Sequence, residues 1–250
     1  MKTDLIVALD VESLDKAKDI VEKLYPVVKY FKVGSQLFTA CGPEIVRSIG
    51  KTGGKVFLDL KFHDIPNTVR NVVATSTATS IGFVTTVGSS EIPTQAGASA
   101  EYPIFMMTVH AVGGQEMMRW AAEAARERAA QLGIEKPKIV AVTVLTSTKA
   151  SSDTQETVLA LAREAQISGL DGVVCSVHEA AAVRKACGEN FIIVTPGIRL
   201  PEGHAGDQKR VATPAAAVAA GSNYLVVGRP ILEAADPLKV AKKILEEISR

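Results

Sequence analysis

The sequence predicts an α/β protein folded as a single (β/α)8 (TIM) barrel spanning residues 1–250. Two observations carry that expectation. Short runs rich in Val, Ile and Phe alternate with helix-like segments almost from end to end, which calls for parallel strands joined by crossover helices. Polar and titratable residues then gather where those runs end, and the C-terminal rim of the strands is where such barrels keep their active sites. A length of 250 residues suits one barrel and does not force two domains. A doubly wound open sheet is the alternative that the same alternation allows.

Eight strand runs are read in order: "DLIVALDV" (4–11), "YFKVG" (30–34), "KVFLDLK" (55–61), "FMMTVHA" (105–111), "KIVAVTVLTS" (138–147), "GVVCSV" (172–177), "FIIVTPGI" (191–198) and "NYLVVGR" (223–229). Near-continuous apolar character marks strands covered on both faces. Among the helices, "SLDKAKDIVEKL" opens on Ser13 as N-cap. "GGQEMMRWAAEAARERAAQLG" closes on Gly133 as a C′ residue. "DPLKVAKKILEEISR" has Asp236 as N-cap and Pro237 at its first position, with Leu238, Ala241, Leu245 and Ile248 on one face.

One stretch interrupts the rhythm. Residues 74–104 are crowded with Ser, Thr, Ala and Gly and carry no clear helical face, so the helix after the third strand is expected to decay in the seventies. A surface excursion, a disordered loop and a segment foreign to the natural protein are three readings of it.

Composition removes several function classes. Lys plus Arg (28) nearly cancels Asp plus Glu (27), leaving no global basic field for nucleic acid or an anionic membrane. Three cysteines, without a CxxC pair or a His at zinc spacing, fit a reducing cytoplasmic setting and no structural metal. Acids at Asp4, Asp10, Glu12 and Asp15 break any apolar signal-peptide core, and no run approaches a membrane span.

The chemistry gathers in two places. At the end of the third strand, Asp59, Lys61, His63 and Asp64 fall within six residues. In an extended strand positions 59 and 61 share a face. Opposite charges side by side favour each other's ionised form, and Lys32 on the neighbouring strand can join as a second cation. Such an array can hold a proton donor near an anionic substrate. An isolated Asp-x-Lys is most simply a structural ion pair; its place at a strand end, beside the other strand ends, reverses that weighting.

The second place is a phosphate site. "VTPGIR" and "VVGRPI" end the last two strands, where Gly197 and Gly228 let the backbone approach closely and Arg199 and Arg229 supply charge-assisted bonds. Barrels recurrently bind phosphate there. The loop at 200–214 is long enough for a lid, with Gln208 as its ligand-contacting amide. His110 ends the fourth strand, and both a substrate contact and a structural hydrogen bond are open to it. Met106, Met107, Met117 and Met118 read as core filler, and Cys175 as buried rather than reactive.

Taken together, "VALD", "DLKFHDIPNT", "VLTS", "VTPGIR", "GDQKRVATP" and "VVGRP", in this order, resemble the orotidine 5′-phosphate decarboxylases of the bacterial type. The likeness covers nearly the whole chain except about thirty residues near 74–104. It implies conversion of orotidine 5′-monophosphate to uridine 5′-monophosphate and CO2, the last step of de novo pyrimidine synthesis, without metal or organic cofactor. By the same resemblance, Lys61 would be the proton donor, with Asp59 crowding the substrate carboxylate and holding Lys61. Lys32 would complete the array, and Asp10 would bind ribose. Asp64 and Thr68 would reach the neighbouring subunit's site in a homodimer. Thr146, or Ser147 as the near alternative, would read the pyrimidine. Arg199, Gln208, Gly228 and Arg229 would hold the phosphate. Metal-dependent phosphosugar barrels share the DxKxxD element and are the nearest rival; a catalytically silent nucleotide-binding barrel is another.

Overall fold

The computed structural model describes residues 3–78, 103–146, 151, 153–200 and 210–249. The strands are β1 (Asp4–Ala8), β2 (Tyr30–Gly34), β3 (Lys55–Phe62), β4 (Ile104–His110), β5 (Lys138–Val142), β6 (Gly172–Val174), β7 (Ile192–Thr195) and β8 (Tyr224–Val227). They close into one parallel barrel in sequence order, β8 returning to pair with β1. The open-sheet alternative is thereby excluded.

The helices are α1 (Leu14–Leu24), α2 (Ser35–Cys41), α3 (Glu44–Lys51), α4 (Pro66–Ala78), α5 (Gly114–Leu132), α6 (Thr154–Ile167), α7 (Val177–Cys187), α8 (Pro214–Ala219), α9 (Arg229–Leu232) and α10 (Pro237–Ile248). Alternation is therefore less strict than the sequence suggests, because β2 and β8 are each followed by two helices. The caps are where the residue types place them. Ser13 accepts from the Lys16 N–H and Asp236 from the Lys239 N–H, while Gly133 ends α5 at φ 65° in the left-handed region.

Period-two alternation divides the apolar residues into two layers. On β1, Leu5 and Val7 face the helices, whereas Ile6 and Ala8 face the barrel axis with Phe57, Met106, Val140, Val194 and Val226. All four methionines of the sequence reading are fully buried, as core filler should be. At the foot of the axis, Tyr30, Phe105 and Tyr224 meet with ring centroids 4.6–5.7 Å apart. Each stands at or near the N-terminal start of its strand, so aromatic rings fill that end.

Strand boundaries differ from expectation. The regular strands end earlier than their apolar runs, β5 at Val142 and β6 at Val174. Just past β5, Thr143 donates both its backbone N–H and its hydroxyl to the Val174 carbonyl, at 3.2 and 2.8 Å. The helix after β3 ends in the seventies, as expected. α4 runs to Ala78 and buries Val69, Val73 and Thr77, the Thr77 hydroxyl bonding back to the Val73 carbonyl. The anomalous stretch thus begins as helix, and residues 79–102 lie outside the described part. No helix among the described residues is long and apolar enough to cross a membrane.

Candidate active site

A cavity of about 640 Å³ opens at the C-terminal rim. Ala8, Phe57, Val142, Val174 and Val226 form its apolar floor, the top of the barrel core. Asp10, Lys32, Asp59, Lys61, Thr146, Arg199, Gly228 and Arg229 all line it. Eight of the residues singled out from sequence, carried by six different strand ends, therefore meet in one space.

Four of them form a chain of alternating charge. Asp10 Oδ1 lies 2.9 Å from Lys32 Nζ, which is 3.6 Å from Asp59 Oδ2. Asp59 in turn holds Lys61 Nζ at 2.9 Å from both of its oxygens. Lys32 and Asp59 are 9% and 8% exposed, so water screens their contact little, whereas Asp10 and Lys61 reach further into the opening.

Local backbone explains how two residues so close in sequence meet head-on. Leu58 pairs with Met107 and Phe62 with Val109, so three residues of β3 stand opposite Thr108 alone. This is a bulge, and Lys61 within it adopts φ 52°, left-handed for a residue that has a Cβ. Simple strand alternation, the basis of the sequence reading, puts Asp59 and Lys61 on one face; the bulge is what turns Lys61 back onto the carboxylate.

At the other end Arg199 and Arg229 stand together. Burial lowers the Arg199 pKa, the neighbouring Arg229 charge lowers it further, and Glu233 partly offsets both. Two guanidiniums sharing a recess in this way suit a dianion. Gly197, at φ 78°, needs the freedom of glycine to turn the chain there. Past the end of β5, Arg210 and Glu179 form a buried pair at 2.6 Å, and Arg210 also donates to the carbonyls of Val144 and Leu145, just before Thr146.

Not every expected residue joins the cavity. Asp64 is exposed and accepts from the Ile65 N–H at 2.7 Å, and Thr68 lies in the first turn of α4; neither lines this cavity. Gln208, Ser147 and most of the loop at 200–214 lie outside the described residues. His110 is not part of the cavity lining; its ring lies 5.4 Å from that of His63. Cys175 is buried, and burial pushes its thiol far up, so it stays protonated.

Sequence reasoning missed Gln36, Glu233 and Thr108. Gln36 lies two residues past β2, and its position just beyond a strand end was the available signal. Glu233 closes α9 in a stretch with no motif. Thr108 lies within an apolar strand, and nothing in sequence marks it as the residue opposite a bulge.

Residues 3–244 match the Orotidine 5′-phosphate decarboxylase / HUMPS family. The chain belongs to that family. Among its relatives, the orotidine 5′-phosphate decarboxylase of Moorella thermoacetica is 43% identical, the match spanning 99% of this chain and 92% of the relative. That of Syntrophotalea carbinolica is 45% identical over 98% of this chain and 94% of its own length. Both spans include residues 74–104, the part that the motif resemblance left out. A solved orotidine 5′-phosphate decarboxylase of Lactobacillus acidophilus superposes with a TM-score of 0.78 at 34% identity, covering 100% of each chain. The enzyme of the same name from Pyrococcus horikoshii shares the fold, with a TM-score of 0.72 at 23% identity over 98% of this chain and 99% of that one.

Proposed function

We propose that this protein decarboxylates orotidine 5′-monophosphate to uridine 5′-monophosphate, as the names of its relatives indicate for them. The observation that carries the reading is the unbroken Asp10–Lys32–Asp59–Lys61 chain at one end of a cavity that has two arginines at the other. A nucleotide would span that space, with its phosphate on Arg199 and Arg229 and its ribose against Asp10 and Lys32. The pyrimidine would reach Thr146.

The hard step breaks the bond between a ring carbon and the carboxylate, leaving the electron pair on that carbon. An ammonium fixed beside it stabilises the developing charge, because a preorganised donor needs no reorientation as the charge forms. Lys61 then transfers a proton to the carbon, and the resulting amine recovers one from solvent. Asp59 holds the ammonium in place and lies beside the departing carboxylate. Phosphate binding at the far end aligns the ring without taking part in the chemistry.

We further propose a homodimer with shared sites. Asp64 and Thr68 stay out of their own cavity, Ile65 next to Asp64 is 67% accessible, and Val112, just past β4, is 58% accessible. Those features favour a second copy covering this rim. A reducing cytoplasmic setting fits three free cysteines.

The test follows the absorbance change of orotidine 5′-monophosphate with purified protein and EDTA present. Turnover with release of uridine 5′-monophosphate is expected. Loss of activity on chelation would favour a metal-dependent phosphosugar reaction, and nucleotide binding without turnover would favour a silent barrel.

A further inference from the structure

We infer that Thr108 is a positioning residue for the Asp59–Lys61 pair, an inference that rests on the decarboxylase reading above. Thr108 is 0% exposed and is the single β4 residue facing the three-residue bulge of β3. A ladder broken in this way leaves a backbone donor without its usual carbonyl. The Thr108 hydroxyl takes that place, accepting from the Lys61 N–H at 2.8 Å. The same hydroxyl donates its proton to Asp59 Oδ1 at 3.1 Å.

One side chain therefore fixes both members of the pair by different means. At Lys61 it secures the backbone in a left-handed conformation that a residue with a Cβ seldom adopts, φ 52°. At Asp59 it completes the set of donors around the carboxylate. Oδ1 receives Thr108 and Lys61, while Oδ2 receives Lys61 and faces Lys32 at 3.6 Å. Rotation of the carboxylate would break three of these contacts at once. Valine matches threonine in shape but offers neither bond, so β4 could keep its packing while the bulge lost its anchor.

Thr108→Val and Thr108→Ser, compared by steady-state kinetics with orotidine 5′-monophosphate, test the inference. For Thr108→Val, kcat should fall roughly 10- to 100-fold with KM within about threefold of the parent, the pattern of an interaction realised in the transition state. Thr108→Ser should restore kcat to within about threefold, since it keeps the hydroxyl. If the valine does not fold, Thr108→Ser against Thr108→Ala compares the hydroxyl alone. Equal kcat values across the hydroxyl-bearing and hydroxyl-lacking variants would overturn the inference. So would parallel loss in kcat and uridine 5′-monophosphate affinity without rescue by serine, which marks a merely structural role. An unsubstituted protein without turnover would refute the decarboxylase reading itself, and this inference with it.

Discussion

Lys61 Nζ lies 2.9 Å from each carboxylate oxygen of Asp59, so the two side chains meet in a symmetric two-point contact although only one residue separates them. Such a contact holds the ammonium at one point in the cavity, where an unrestrained lysine would sweep a wide arc. A proton donor needs that fixity, because misplacement by about 1 Å can cost roughly 100-fold in rate.

Replacing Lys61 with alanine should abolish chemistry and spare the fold. The side chain is partly exposed, and its loss would remove both the proposed electrostatic stabilisation and the proton delivery. We expect kcat to fall by at least ~1,000-fold, with uridine 5′-monophosphate still bound and the thermal melt little changed. Near-normal turnover would remove Lys61 from the mechanism.

Arg229→Ala acts at the other end of the cavity and should behave differently. Loss of one charge-assisted contact to phosphate should raise KM about 10- to 100-fold and weaken uridine 5′-monophosphate binding in parallel. Calorimetry of nucleotide binding reads this directly. An unaltered affinity would place the phosphate elsewhere.

Gly34 tests the charged chain indirectly. A Cβ at this position would lie 2.9 Å from Lys32 Nζ and 3.5 Å from Asp10 Oδ1. The clash falls on the movable end of a side chain, so Gly34→Ala should fold normally while displacing the Lys32 ammonium. A roughly tenfold or greater loss in kcat/KM with an unchanged melt is the expected signature. Full activity would mean that Lys32 tolerates the shift.

His110 gives a pH-dependent prediction. Burial lowers its pKa, and His63 and Lys61 add to the effect. The folded state thus favours the neutral ring, and the unfolded chain binds the extra proton as pH falls. Stability from this source is complete above the unfolded value of about 6.5 and declines as pH falls towards the folded value. Urea unfolding of the parent and of His110→Gln should diverge below about pH 6.5 and run parallel above it. Curves parallel throughout would assign the acid sensitivity to other groups.

The residues legible in sequence were those whose type and strand position agree. Asp10, Asp59, Lys61, Arg199 and Arg229 are charged groups at the ends of apolar runs, and the barrel brings them together because every strand points the same way. Thr108 was illegible because its importance depends on register, and one-against-three pairing across β3 and β4 has no signature in either strand alone. Arg210 was passed over for a related reason. Its partner Glu179 lies 31 residues earlier, on α7, and only the closed barrel brings the pair together. The end of the helix after β3 was legible only to within a turn, in the seventies, and it falls at Ala78. Val73 and Thr77 continue the buried face of Val69, a pattern too short to stand out among small polar residues.

The ring cluster of Tyr30, Phe105 and Tyr224 has a consequence for traffic. With its foot plugged, the barrel is a blind-ended well. On the proposed placement, nucleotide and carbon dioxide would share the doorway at the rim, and the gas, formed against the floor, would start out beneath the molecule it has just left. A leak opened at the foot, for instance by Phe105→Ala, would give the gas a second exit.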